Sequence, residues 1–292
     1  MIKETLAQKQ EQINRRLSQI LKADTPAHQR LYDAMNYSLN AGGKRIRPFL
    51  FLEMLEILGL SGEDYLDVAC ALECIHTYSL IHDDLPAMDN DDYRRGKPTN
   101  HKIYGAGMAT MAGDGLLTFA FELLMGQEQI EPALRCELAM LLAKASGPSG
   151  MVGGQAHDID SEGESLSLPE LQLMDRCKTG CLLCLPVDMA VCLAGISKEE
   201  GAAWHVFAQH LGLLFQITDD LLDVNGHLDE MGKMPNQDQL DNKSTYVTIL
   251  GKEKAFSLAK EEAVAAKETL RQINRPTAIM EELVDMLLVR SK

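Results

Sequence analysis

Positive charge is scarce in this chain: 28 lysines and arginines stand against 43 aspartates and glutamates, a formal net charge of −15 over 292 residues. A surface of that sign repels phosphate backbones, so no nucleic-acid partner is expected. Aromatic residues make up only 5% of the chain, and runs alternating polar and apolar with period two are almost missing, which argues against a sheet. The opening MIKETLAQKQEQINRRLSQI is charged throughout and has no apolar leader core; export is not expected, and the reading is cytoplasmic. The most apolar stretch, 179–197, is broken by Pro186 and Asp188. It reads as a buried core helix, with no stable membrane insertion. No Pro/Ser-rich linker, charge block or repeat divides the sequence, so a single domain over residues 1–292 is the economical reading.

Two superficial signals fail on inspection. Seven cysteines, an odd number without a leader, fit reduced thiols; Cys177, Cys181 and Cys184 share one helical face and lack the glycine-rich loop of an iron–sulfur site. In Gly105-Ala-Gly107-Met-Ala-Thr110 a dinucleotide fingerprint is missing its third glycine, and no strand precedes it.

What is present is helical. Start signals recur at Thr25-Pro26, Ser61 with Asp64, Ser167 with Pro169 and Glu170, Ser197 with Glu200, and Asn274 before Pro276. Apolar residues between them follow three- and four-residue spacing, as in Leu66, Ala69, Cys70, Leu72, Ile75, Tyr78 and Leu80. The fold class is all-α.

Two aspartate clusters end such patterns. The first, His82-Asp83-Asp84-Leu85-Pro86-Ala87-Met88-Asp89-Asn90-Asp91-Asp92, crowds five carboxylates into ten residues. They lie near a helix C-terminus, where the dipole also disfavours anions, so a bound cation is expected. Asp83 and Asp89 can converge only if the chain leaves the helix between them, and Pro86 supplies the break. The second cluster is Asp219-Asp220-Leu221-Leu222-Asp223, before the stop signal Asn225-Gly226; Asp219 and Asp223 share a face at i, i+4. A solvated acidic loop or a calcium site is the plainer reading of either cluster. Neither, however, has the calcium-loop spacing, and each has basic residues close by. Those basic words are Gly42-Gly43-Lys44-Arg45-Ile46-Arg47-Pro48, Arg94-Arg95, Lys178-Thr179-Gly180, Lys233 and Lys243-Ser244-Thr245. Cations beside metal-binding carboxylates suit a multiply charged phosphate, held partly through magnesium.

In order, the words GGKRIRP, IHTYSLIHDDLPAMDNDDYRRGKPTNH, AGDGLL, GMVGGQAHD, KTG, LGLLFQITDDLLD, GK and DNKSTY resemble the trans-prenyl diphosphate synthases over nearly the whole chain, and among them the bacterial farnesyl type. The resemblance implies an isoprenoid-synthase-type orthogonal helical bundle around a central cavity, usually a homodimer. It implies magnesium-dependent head-to-tail condensation of isopentenyl diphosphate with dimethylallyl or geranyl diphosphate. In that reading Asp83 and Asp89 hold two magnesium ions and Asp219 a third, supported by Asp84, Asp220 and Asp223. Arg94, Lys178, Lys233 and Lys243 contact the allylic diphosphate. Lys44, Arg47, His76 and Arg95 bind isopentenyl diphosphate, where a protonated His76 would help. Thr179 and Gln216 stabilise the carbocation. Tyr78, with Ser79 beside it, floors the product pocket and implies fifteen carbons, with ten or twenty as alternatives. Ala106, Asn236, Val247 and His157 depart from the usual pattern.

A terpene cyclase also ionises an allylic diphosphate, but it has no need of the second diphosphate pocket that GGKRIRP, His76 and Arg95 imply. A non-catalytic partner subunit would not need both aspartate clusters intact.

Overall fold

The computed structural model describes residues 1–225 and 243–289. These fall into two compact units, one formed by Lys3–Glu56 and Ser61–Ala139, the other by Met1–Ile2, Ile57–Leu60 and Met140 onward.

The first unit contains α1 (Ile2–Ile20), α2 (Gln29–Leu39), α3 (Ile46–Ile57), α4 (Leu66–Asp83), α5 (Asn100–Tyr104) and α6 (Ala106–Met125), and α7 (Pro132–Ser146) carries the chain onward. Its centre is α4, which is apolar over most of its circumference and therefore largely buried: twelve of its 18 residues are buried, Glu73 and Thr77 among them. Small residues on α6 let it approach α4 closely. A Cβ on Gly113 would lie 2.1 Å from His82 Nε2, and that nitrogen sits 3.1 Å from the Thr110 carbonyl oxygen.

Strand was not expected, yet β1 (Tyr93–Arg94) and β2 (Lys97–Pro98) form a minimal antiparallel hairpin. Its two-residue turn is Arg95-Gly96, with φ of +54° and +73°. A tight hairpin demands that left-handed pair, but asparagine or aspartate is the usual first residue, so arginine hides the signal. The hairpin and α5 are tied to α2 by Tyr37 Oη donating to the Pro98 carbonyl (2.7 Å) and Asn100 Nδ2 to the Ala34 carbonyl (2.7 Å).

The second unit contains α8 (Met151–Asp160), α9 (Leu168–Asp175), α10 (Cys181–Ala194), α11 (Lys198–Asn225), α12 (Tyr246–Leu250), α13 (Lys252–Gln272) and α14 (Ala278–Val289). Ala255, Ala259, Ala263 and Ala266 form a buried small-residue stripe on α13, which packs along α11. The Ser167–Glu170 capping box opens α9 as its sequence indicates. Asn274 does not open α14; that helix begins at Ala278, where the Thr277 carbonyl accepts from Met280 and Glu281. Between α9 and α10, residues Arg176–Gly180 form a π turn, so residues 168–194 run as one helical stretch. This stretch and α6 are long and apolar enough to cross a membrane by length and composition alone, with half and one third of their most apolar windows buried. All seven cysteines are free thiols, and Cys184 is buried.

Candidate active site

In the first unit the basic residues of GGKRIRP and of the hairpin turn converge on α4. His76 lies in the field of Arg47, Arg95, Arg94 and Arg45; burial first, then those four guanidinium groups, hold its imidazole well below the usual value of 6.5. Desolvation and like charge both disfavour the imidazolium there. A dianionic ligand would reverse the charge contribution. Lys44 is exposed and Arg47 half-buried. One residue after Lys44, Arg45 is only 3% accessible and donates to Glu73 Oε1 (2.5 Å), Asn14 Oδ1 (2.9 Å) and the Leu39 carbonyl (2.7 Å).

The first aspartate cluster folds back on itself. After Asp83 ends α4, the chain turns through Pro86, and Asp89 N–H donates to the Asp83 carbonyl at 2.9 Å while Asn90 N–H reaches the Leu85 carbonyl at 3.1 Å. That return needs a left-handed residue, supplied by Asn90 at φ +52°. The backbones of Asp83 and Asp89 thus meet, after the chain has left the helix at Pro86. Asp84 takes a different place: it is buried, and its Oδ1 accepts from Arg94 Nε (2.9 Å) and Nη2 (2.5 Å). Burial pushes this carboxyl up to about 6, with Arg94 pulling the other way. The arginine also reaches Asp91 at 3.1 Å. A cleft beside this pair is lined by Thr77, Asp84, Arg94 and Arg95. Tyr78, also on α4, is 5% accessible and packs edge-on to His82; burial and Asp83 push its phenol up to about 12. Ser79, also buried, donates back to the His76 carbonyl.

In the second unit the π turn presents Lys178 and Thr179. Such turns widen a helix by one residue and frequently mark functional sites. Here it sits against α8 so tightly that a Cβ on Gly154 would lie 2.2 Å from Lys178 N. Lys178 Nζ donates to Asp158 Oδ2 at 2.5 Å, and Lys243 Nζ lies 3.8 Å from the same oxygen. Asp158 therefore gathers two lysines. Thr179 Oγ1 donates to Gln216 Oε1 (2.9 Å), Gln216 Nε2 to Asp220 Oδ1 (2.9 Å), and Tyr246 N–H to Asp220 Oδ2 (2.8 Å). Asp219 is exposed at the same end of α11, while Asp220 and Asp223 are buried. In both clusters, then, the second aspartate of the pair faces protein donors. Lys233 and Asn236 lie outside the described residues. Of the other departures, Ala106 begins α6, His157 precedes Asp158 on α8, and Val247 lies in the first turn of α12. In that turn Thr245 and Thr248 cap each other reciprocally (2.8 and 3.1 Å).

Asp158 and Glu73 were not singled out in the sequence. An acid inside the word GMVGGQAHD, and a lone glutamate between Leu72 and Cys74 in an apolar helical run, are the signals that mark them.

Among the described residues no three His, Cys, Asp or Glu side chains close into a metal cage. The adjoining Asp83 and Asp89 offer hard oxygen donors without completing a coordination shell. That suits magnesium, which is commonly held by one or two carboxylates plus substrate phosphate and water.

A polyprenyl synthetase family model matches residues 28–287. Farnesyl diphosphate synthase of Geobacillus stearothermophilus is 47% identical over 263 residues, 89% of each chain. The enzyme of the same name from Micrococcus luteus is 40% identical over the full length of both. Among solved structures, the geranyltransferase of Helicobacter pylori, complexed with magnesium and isoprenyl diphosphate, superimposes with a TM-score of 0.86 at 33% identity, covering 97% of this chain and 95% of that one.

Proposed function

The chain belongs to the polyprenyl synthetase family, and from that premise we propose how its residues divide the reaction. The protein is a magnesium-dependent prenyltransferase that condenses isopentenyl diphosphate with an allylic diphosphate to give farnesyl diphosphate. The allylic C1–O bond breaks and diphosphate leaves with the electron pair. The C3–C4 π electrons of isopentenyl diphosphate then form the new bond to C1. A proton is lost from C2 of the isopentenyl unit to the departing diphosphate, leaving the new double bond.

Lys44, Arg47, His76 and Arg95 bind the isopentenyl diphosphate. The observation that carries this assignment is the group of arginines around His76, two helical turns before Asp83. Lys178 and Lys243, gathered by Asp158, bind the allylic diphosphate together with Arg94 and Lys233. Thr179 and Gln216 face the carbocation. Asp83 and Asp89 hold two metal ions and Asp219 a third, with Asp223 in support, while Asp84 and Asp220 orient Arg94 and Gln216. Magnesium, when bound, neutralises the leaving diphosphate. We place the enzyme in the cytoplasm, as a single polyprenyl synthetase domain and a homodimer.

Substitution separates the two substrate assignments. Lys44→Ala should raise KM for isopentenyl diphosphate and leave that for geranyl diphosphate unchanged, and Lys178→Ala should do the reverse. If both variants weaken the same substrate, the division of sites is wrong.

A further inference from the structure

Glu73 has no part in the reaction as described, yet two basic segments meet on it. It is 1% accessible in the middle of α4. Its Oε1 accepts from Arg45 Nη1 at 2.5 Å and lies 3.7 Å from Arg95 Nη2. Arg45 belongs to the GGKRIRP loop and Arg95 to the hairpin turn, 50 positions later in the chain. Both have left-handed backbones, at φ +52° and +54°, a conformation that non-glycine residues hold only where their surroundings enforce it. Arg95 Nη1 also donates to the Gly42 carbonyl. A Cβ on Gly43 would fall 2.6 Å from Arg95 Cζ, so a side chain there would displace the guanidinium, and at φ +118° it would also strain the loop. On the loop's other side, Gln10 Nε2 donates to the Gly43 carbonyl at 2.5 Å.

We propose that Glu73 is a positioning residue: a single buried carboxylate that locks the GGKRIRP loop and the hairpin turn in register, so that Lys44, Arg47 and Arg95 are presented together to the diphosphate of isopentenyl diphosphate. The inference rests on the assignment of that substrate to this site. Glu73 is held in place by arginines that do not leave it, and it does not touch the substrate. Its loss frees Arg95 to swing and removes the Arg45–Glu73 anchor of the loop.

The test is a double-mutant cycle read as KM for each substrate, alongside thermal midpoints. Glu73→Gln keeps the shape and removes the charge. It is expected to raise KM for isopentenyl diphosphate on the order of tenfold or more, since small displacements of a binding group are costly, with KM for geranyl diphosphate unchanged. In an Arg95→Gln background the same substitution should raise KM for isopentenyl diphosphate by a smaller factor, because only the Arg45 end of the lock is left to lose. Gly43→Ala, which leaves every buried charge in place and displaces Arg95 sterically, should reproduce the rise; it serves also if Glu73→Gln folds poorly. An equal rise for both substrates, full additivity with Arg95→Gln, or a lowered thermal midpoint with KM intact would make Glu73 a structural residue only and overturn the inference. If Arg95→Gln itself leaves KM for isopentenyl diphosphate unchanged, the assignment of the site fails, and the positioning role with it.

Discussion

The backbone N–H of Asp89 donates to the carbonyl of Asp83 at 2.9 Å, although six positions separate them. That bond folds the acidic segment back on the end of the helix, and it supports the proposal that Asp83 and Asp89 share a metal site. Two adjoining carboxylates at a helix C-terminus repel each other and the dipole, and a divalent cation relieves both.

Asp83→Asn and Asp89→Asn are each expected to lower kcat by about 10² to 10³-fold at saturating magnesium, the scale of removing one preorganised electrostatic contact to developing charge. Helix content by circular dichroism should be unchanged. A variant that keeps near-wild-type kcat would remove that residue from the metal set.

Gly154→Ala tests the close approach of α8 to the π turn. A methyl 2.2 Å from Lys178 N meets backbone, which cannot rotate away. Overpacking of this kind costs about 1–3 kcal/mol, so a lowered thermal midpoint is expected. Because Lys178 moves, KM for geranyl diphosphate should rise while that for isopentenyl diphosphate holds. Unaltered stability would show that the turn retreats freely.

The second unit also contains a pH-dependent contact. His205 Nδ1 lies 2.9 Å from Asp188 Oδ1, and that hydrogen bond raises the imidazole above its ordinary 6.5, with burial opposing. A raised folded value means that the contact stabilises fully below 6.5 and fades as pH climbs through the folded value. The thermal midpoint of the wild type should therefore exceed that of Asp188→Asn at about pH 6, and the gap should narrow by about pH 8. A gap that widens with pH would contradict the assignment.

Much of this was legible in the sequence because it is local. Both aspartate clusters, the Pro86 break and the capping box at Ser167 are carried by residues within a few positions of each other, where spacing alone dictates geometry. What escaped depends on partners far apart in the chain. Asp158 acquires its meaning from Lys178 and Lys243, and Glu73 from Arg45 and Arg95, none of which periodicity can connect. The hairpin escaped for another reason: Arg95-Gly96 adopts a turn that its residue types do not advertise. His76 shows a third limit. Its place beside the basic words came only with the family resemblance, and the lowering of its imidazole follows from desolvation and four nearby arginines.

We propose that Tyr78 floors the product pocket, so Tyr78→Ala should deepen it. The buried ring is replaced by a methyl, and products longer than fifteen carbons should accumulate with isopentenyl diphosphate in excess. Unchanged chain length on product chromatography would move the floor elsewhere.

The central claim is tested most directly by incubating the purified protein with radiolabelled isopentenyl diphosphate and geranyl diphosphate, with magnesium and with excess chelator, and analysing the dephosphorylated products. A dominant fifteen-carbon alcohol that disappears with chelator is expected. Absence of magnesium-dependent elongation from geranyl diphosphate, and from dimethylallyl diphosphate in parallel, would contradict it.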